Sequence, residues 1–266
     1  MATLVLVRHG RTTANASGVL AGRTPGVLLD DTGREQVART GERLAVVPLA
    51  SVVSSPMERC RQTSAAILER QSGFPAAPVE DAISECDYGD WQGRPLKELA
   101  KEPLWSTVQS HPSAAVFPGG ESLPAMQARA VEAVRRIDAE VEAEHGASAV
   151  WAAVSHGDLI KALLADALGM HLDLFQRIQV DPASISIVRY TPSRPYVLAQ
   201  NTHAGDLGWL VPKEQETSTD AVPGGGAGPE TDQHGAAEGS TGGQSAAAAP
   251  EDLDDGPAEL AGPGRS

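Results

Sequence analysis

Leu4-Val5-Leu6-Val7-Arg8-His9-Gly10-Arg11-Thr12 is the stretch from which both fold and chemistry can be read. Its four apolar residues, two of them β-branched, read as a short buried strand. The strand runs directly into a guanidinium, an imidazole and a glycine. In an α/β protein, ligand chemistry sits at the carboxyl ends of the sheet strands. An arginine there can bind phosphate oxygens while a neighbouring imidazole nitrogen attacks phosphorus. Taken alone, the stretch fits equally well with Arg8 and His9 being the first polar residues after a strand, and the rest of the chain must decide.

Outward from that strand the chain alternates. Asp30-Asp31-Thr32-Gly33 caps a helix running to Leu44. Residues 50–55 read as a second strand, followed by Ser55 as N-cap, Pro56 as the first helical residue, and a helix to about Gln71. Residues 79–88 read as extended. Residues 94–120, broken by Pro95, Pro103, Pro112 and Pro118, read as short helices and loop. A long helix is expected from Pro124 to His145, closed by Gly146. Residues 150–155 form another apolar strand that runs into His156-Gly157-Asp158 and a helix from Leu159 to Leu168. Residues 184–190 and 196–200 read as a hairpin. The expected class is α/β, a three-layer α/β/α sandwich with a mostly parallel sheet and a lid at about 94–122.

Composition narrows the function. A formal net charge of −14 over 266 residues counts against nonspecific nucleic-acid binding and against an anionic membrane surface. No run of 18 apolar residues predicts a membrane span, and no basic leader with an apolar core predicts secretion. Cys60 and Cys86 offer neither a disulfide framework nor a zinc spacing, so a reducing cytoplasm is expected. Residues 213–266 hold eleven Asp and Glu against Lys213 and Arg265, and contain Gly224-Gly225-Gly226 but no aromatic side chain. Such a segment cannot bury enough apolar surface to offset its chain entropy. The expected folded unit is 1–211, with 212–266 a disordered acidic tail.

Two strands end alike, one in Arg8-His9-Gly10 and one in Ser155-His156-Gly157. A third ends in Ser54-Ser55, with Arg59 about one turn into the next helix. Arg8, Arg59, His9, His156 and the amide of Asn15 would converge on a small dianion, most simply phosphate. The helix N-termini after Ser55 and Gly157 would add positive potential.

At this point the chain resembles the histidine phosphatase superfamily, the phosphoglycerate-mutase-like proteins. The matching pieces are Arg8-His9-Gly10 with Asn15; Ser54-Ser55-Pro56-Met57-Glu58-Arg59 with Gln62-Thr63; and Glu85-Cys86-Asp87-Tyr88-Gly89 with Trp91-Gln92-Gly93. Gly119-Gly120-Glu121-Ser122 with Arg129, and Ser155-His156-Gly157, complete the set, which stands in the family's order up to about residue 203. The resemblance implies a metal-independent phosphomonoester hydrolase with no cofactor. His9 would become phosphohistidine. Arg8, Arg59 and His156 would bind the phosphoryl oxygens, with Asn15, Gly22 and Gly157 alongside. Glu85 would be the general acid and base, with Asp87 and Asp90 as alternatives. The partner would be a small phosphorylated metabolite or a phosphoprotein, and a homodimer is one assembly the family allows.

Two departures stand out: Arg11 occupies a position often acidic in the family, and Ala21 one often held by an amide. Arg11 and Arg23 are expected to add positive charge at the pocket mouth. A phosphomutase using the same site, or a catalytically silent relative that binds a phospho-ligand, are the alternatives. Residues 94–120 carry only Arg94, Lys97 and Lys101 as cations, which favours the phosphatase.

Overall fold

The computed structural model describes residues 2–73, 76–204 and 223–226. By contact the chain divides into a compact unit, 1–230, and a remainder, 231–266, that lies wholly outside the described residues. The expectation of disorder over 212–266 therefore falls, apart from 223–226, outside the described residues.

Five strands form one sheet among the described residues: β1 (Thr3–Arg8), β2 (Leu49–Ser54), β3 (Val150–Ser155), β4 (Ile185–Arg189) and β5 (Tyr196–Thr202). Their spatial order is β2-β3-β1-β4-β5. β1 and β2 both run parallel to β3, while β4 is antiparallel to β1 and to β5. The sheet is thus mixed, with a parallel half that carries the histidine-bearing strands and an antiparallel half that is the expected hairpin.

The strand period explains the layers. Successive side chains of β1 point to opposite faces. Leu4 and Leu6 join one core with Trp151, Met126, Val134 and Leu163. Val5 and Val7 join another with Leu44, Val52, Cys60 and Ile67. Each such aliphatic side chain contributes roughly 1.5–3 kcal/mol on full burial. The first face is covered by α6 (Leu123–His145) and α7 (Gly157–Ala167), the second by α2 (Asp31–Leu44) and α3 (Glu58–Leu68). Short helices α1 (Thr13–Ala16), α4 (Leu96–Leu99) and α5 (Pro103–Ser110) lie in the connections.

Capping follows the expected chemistry at α2, where the Asp30 side chain accepts the Gly33 N–H, and at α6, where Ser122 accepts that of Ala125. It departs at α3. That helix is preceded by Met57 rather than Ser55, and the Ser55 hydroxyl oxygen lies 2.7 Å from the ring of His156 while accepting the Met57 N–H at 3.5 Å. Residues 79–88 are not a strand. They touch the sheet at one bridge, Ser54 to Val79, and then form a 3₁₀ turn, Asp81–Ile83, that leads into Glu85. No helix among the described residues is long and apolar enough to cross a membrane.

Candidate active site

The parallel register builds the site. Arg8 pairs with Ser155 and Ser54 with Val154, so three strands end at one level. Beyond the ladder, His9 donates its N–H to the Ser155 carbonyl and Ser55 to that of Val154, each at 3.0 Å. His9 and His156 therefore leave the sheet as neighbours, with ring centroids 5.3 Å apart and the rings nearly edge-on. Glycine must follow His9: a Cβ on Gly10 would lie 2.6 Å from the Gly33 carbonyl oxygen and 2.7 Å from Val37 Cγ1.

Hydrogen bonds assign the tautomer of each ring. His9 Nδ1 is 2.7 Å from the Gly10 carbonyl oxygen. A carbonyl only accepts, so Nδ1 carries the proton and Nε2 keeps its lone pair. Burial, then the charges of Arg59 and Arg8, holds the ring's pKa well below the usual histidine value. His156 is arranged oppositely. Arg59 Nη2 donates to its Nδ1 at 3.1 Å, so the proton sits on Nε2 and is donated to Ser55 Oγ at 2.7 Å. Burial, then Arg59, His9 and Arg8, lowers its pKa as well.

Both guanidinium groups are buried. Arg59, in the first turn of α3, also donates through Nη2 to the Gly22 carbonyl at 2.6 Å. Arg8 donates through Nη1 to the Val180 carbonyl at 2.8 Å. Its Nη2 meets two further carbonyls, those of Gly224 and Gly225, each at 3.1 Å. Burial pulls the Arg8 pKa down, opposed by Glu85, Asp181 and Asp158. Arg8 Nε, Arg59 Nε and Arg59 Nη1 are buried without a hydrogen-bond partner among the described residues. Orphaned donors of this kind carry a desolvation penalty that a multiply charged oxyanion would relieve.

Glu85 reaches the same cavity. Its Oε1 accepts the N–H of Cys86 at 3.1 Å and that of Leu159, in the first turn of α7, at 3.3 Å. Burial and then the Asp158 charge push its pKa up to about 7, while the Cys86 N–H, Arg59 and Arg8 pull the other way. The Glu85 backbone is pinned: its carbonyl accepts from Arg23 Nε at 2.9 Å and Arg129 Nη2 at 3.1 Å, and both arginines pair with Glu121. The motif around Glu121 and Arg129 thus clamps the backbone of Glu85.

The cavity is lined by His9, Thr12, Asn15, Gly22, Arg59 and Glu85, with Val19, Leu20 and Leu96 as an apolar wall and residues 223–226 across it. Asn15 Oδ1 accepts from both the N–H and the hydroxyl of Thr12, so its oxygen caps α1. Gly22 contributes through its carbonyl to Arg59, and Gly157 opens α7 beside the cavity. Asp87 and Asp90, the alternative acids, are not in the lining.

The expected cationic mouth does not form. Arg11 is drawn to the start of α2, pairing with Asp30 and Thr32 at 2.8 Å, and Arg23 is consumed by the Glu121 clamp. His203 pairs with Asp181 at 3.1 Å. Cys60 and Cys86 are buried with their thiols pushed up, Cys60 to about 12, so neither carries a reactive thiolate.

Four features escape the linear reading. Ser55 orients His156. Tyr88 donates its hydroxyl to Asp158 Oδ2 at 2.7 Å, placing a second acid behind Glu85. Ala183, at φ 59°, donates its N–H to the carbonyls of Arg8 and His9 and fixes the end of β1. Residues 223–226 cross the cavity. Asp158 has a signal, since it directly follows His156-Gly157, but it reads there as an ordinary first-turn acid. Ala183 has none. No group of three or more His, Cys, Asp or Glu side chains among the described residues could hold a metal ion.

The family model described as histidine phosphatase superfamily (branch 1) matches residues 4–203. A glucosyl-3-phosphoglycerate phosphatase of Mycolicibacterium vanbaalenii is 32% identical over 174 residues, 64% of this chain and 76% of the relative. A 2,3-bisphosphoglycerate-dependent phosphoglycerate mutase 2 of Gloeobacter violaceus is 33% identical over 188 residues, 70% of this chain and 82% of the relative. The solved alpha-ribazole phosphatase from Shigella flexneri superposes with a TM-score of 0.65 at 25% identity, over 75% of this chain and 96% of that one.

Proposed function

The chain belongs to the histidine phosphatase superfamily, and within it we propose a phosphomonoester hydrolase that works through a phosphohistidine on His9. The observation that carries this reading is the tautomer of His9. With Nδ1–H committed to the Gly10 carbonyl and the ring neutral, Nε2 keeps its lone pair on a side chain that lines the cavity together with Arg59 and Glu85.

The reaction then runs in two halves. Nε2 attacks phosphorus in line, forming the P–N bond as the P–O bond to the leaving alcohol breaks. The guanidinium groups of Arg8 and Arg59, three of whose nitrogens lack a hydrogen-bond partner among the described residues, take the charge on the phosphoryl oxygens. Glu85, held protonated near neutrality by burial and Asp158, gives its proton to the departing alkoxide. As a carboxylate it then takes a proton from water, which attacks phosphorus, breaks the P–N bond and restores neutral His9. His156, with both nitrogens engaged, positions Arg59.

The connection over the cavity supports hydrolysis over mutase chemistry. Of its cations, Arg94 is paired with Glu102 at 2.7 Å, and the side chain offered to the cavity is Leu96. No arginine is presented there to hold a second anionic group of a phosphoglycerate. The similarity to a mutase keeps one rival open, and the products separate the two. The test uses labelled p-nitrophenyl phosphate without added metal at pH 5.5–6.5. The expected result is phosphate release with an acid-labile, base-stable phosphoenzyme that His9→Ala abolishes. Undiminished turnover in His9→Ala sinks the mechanism, and interconversion of phosphoglycerates in preference to phosphate release makes the protein a mutase.

A further inference from the structure

Residues 223–226, Pro-Gly-Gly-Gly, lie beyond the region matched by the family, yet they sit across the cavity that holds His9, Arg59 and Glu85. Their contacts are directed. The carbonyls of Gly224 and Gly225 converge on Arg8 Nη2, each at 3.1 Å. On the other side, the Gly224 N–H donates to Asp158 Oδ2 at 2.9 Å, sharing that oxygen with the Tyr88 hydroxyl. The segment therefore bridges a buried cation and a buried carboxylate with backbone groups of matching polarity.

The fit depends on glycine on both sides. Gly224 and Gly225 adopt φ of 76° and 68°, a region L side chains rarely enter. A Cβ on Gly225 would lie 2.8 Å from Arg8 Nη1 and 3.0 Å from its Cζ, which is held in place by Val180. On the receiving side, a Cβ on Gly157 would lie 2.9 Å from the Gly224 carbonyl oxygen. Buried Pro223 fills the apolar side with Val19, Leu20 and Leu96.

We propose that residues 223–226 are an internal ligand of the phosphate pocket, whose two carbonyl oxygens on Arg8 compete with the phosphoryl oxygens of the substrate. The inference rests on the phosphate-binding reading of Arg8 given above. Carbonyl oxygens carry partial charge and a phosphate dianion full charge, so substrate displaces the segment as its concentration rises. The segment thus raises the substrate level at which the enzyme fills without altering the chemical step. Apparent affinity falls by the fraction of molecules with an open pocket, so a segment seated nine-tenths of the time weakens phosphate about tenfold.

The experiment compares the full chain with its Gly225→Val variant. Two quantities are read: the dissociation constant of inorganic phosphate by calorimetry, and KM and kcat for p-nitrophenyl phosphate. The expected result is that phosphate affinity rises and KM falls by a common factor of about ten, with kcat within twofold. Equal affinities in the two chains overturn the proposal. So does weaker phosphate binding in the variant, which would make the segment part of the substrate site. Hydrogen exchange on the unaltered chain tests the same contact without a substitution. The Gly224 amide is expected to be protected and to lose protection with saturating phosphate; protection that phosphate leaves unchanged overturns the proposal. If phosphate affinity differs between the chains but neither turns over, the hydrolytic reading fails and the internal ligand stands. If both turn over with one KM, the reverse holds. If neither chain binds phosphate, both fall.

Discussion

The ends of β1 and β3 present nearly the same tripeptide, Arg8-His9-Gly10 and Ser155-His156-Gly157, at paired positions of one parallel ladder. Their rings are neighbours, both buried and both neutral. What separates them is where the single ring proton is placed. His9 gives its proton to its own following carbonyl and keeps Nε2 free. His156 accepts from Arg59 on one nitrogen and donates to Ser55 from the other, which leaves it no lone pair for attack. In this buried pair of imidazoles, the hydrogen-bond partner decides which ring keeps a lone pair free and which has both nitrogens engaged.

The difference can be broken at its largest point first. His9→Ala removes the P–N bond itself, and kcat is expected to fall by at least about 10⁴-fold with no phosphoenzyme formed. His156→Ala leaves Nε2 of His9 intact. Its cost is expected to be about 10²–10³-fold, like the loss of one transition-state donor, with phosphohistidine still trapped. Equal losses with phosphoenzyme absent from both would erase the distinction between the rings.

Glu85 sharpens the comparison, since in the proposed reaction it serves both halves of the chemistry at His9. Glu85→Gln is expected to lower turnover by about 10²–10³-fold for alkyl phosphates, and less for the first step with p-nitrophenyl phosphate, whose phenolate leaves unaided. Burst kinetics with stalled hydrolysis is the readout. The pH dependence follows in sign. kcat/KM needs Glu85 protonated, so it falls as pH rises through about 7. It stays flat well below 6.5, because His9 resists protonation. An acid limb near 6.5 would mean that His9 titrates as an ordinary histidine.

The same shifts act on stability, with opposite signs. Glu85 has a raised pKa, so its contribution is present below the usual carboxylate pKa of 4.5 and is lost as pH rises through about 7. His9 and His156 have lowered values, so the unfolded chain takes up protons below 6.5 that the folded chain refuses. Two groups oppose one. Between pH 6 and 5, folding stability is expected to decline by about 1 kcal/mol per pH unit, read from denaturant midpoints. The smallest effect belongs to Ser55→Ala, which removes the acceptor for His156 Nε2–H and is expected to lower kcat by about three- to tenfold, in line with one buried hydrogen bond.

The fold that frames this site is legible in the linear sequence. Strand patterning and the residues at strand ends are local facts, and parallel strands of similar length bring their carboxyl ends together. His9 and Arg59 line one cavity, and His156 packs beside both of them. The wrong expectations concerned side chains whose partners lie far along the chain. Arg11 and Arg23 read as free cations because Asp30 and Glu121 are not visible as their partners in a linear reading. Ser55 read as a helix cap because its real partner is 101 positions away.

The linear sequence, then, determined the α/β class, the strand that carries Arg8 and His9, and the acid-and-base inventory around it, because periodicity and local turn chemistry act over a few residues. Only the tertiary structure decided which histidine keeps a lone pair and why Glu85 holds a proton near neutrality. It alone placed a glycine triplet, unremarkable in a polar tail, across the cavity that holds His9, Arg59 and Glu85. These are outcomes of burial and of hydrogen bonds between distant segments, and they exist only once the sheet has aligned its strand ends.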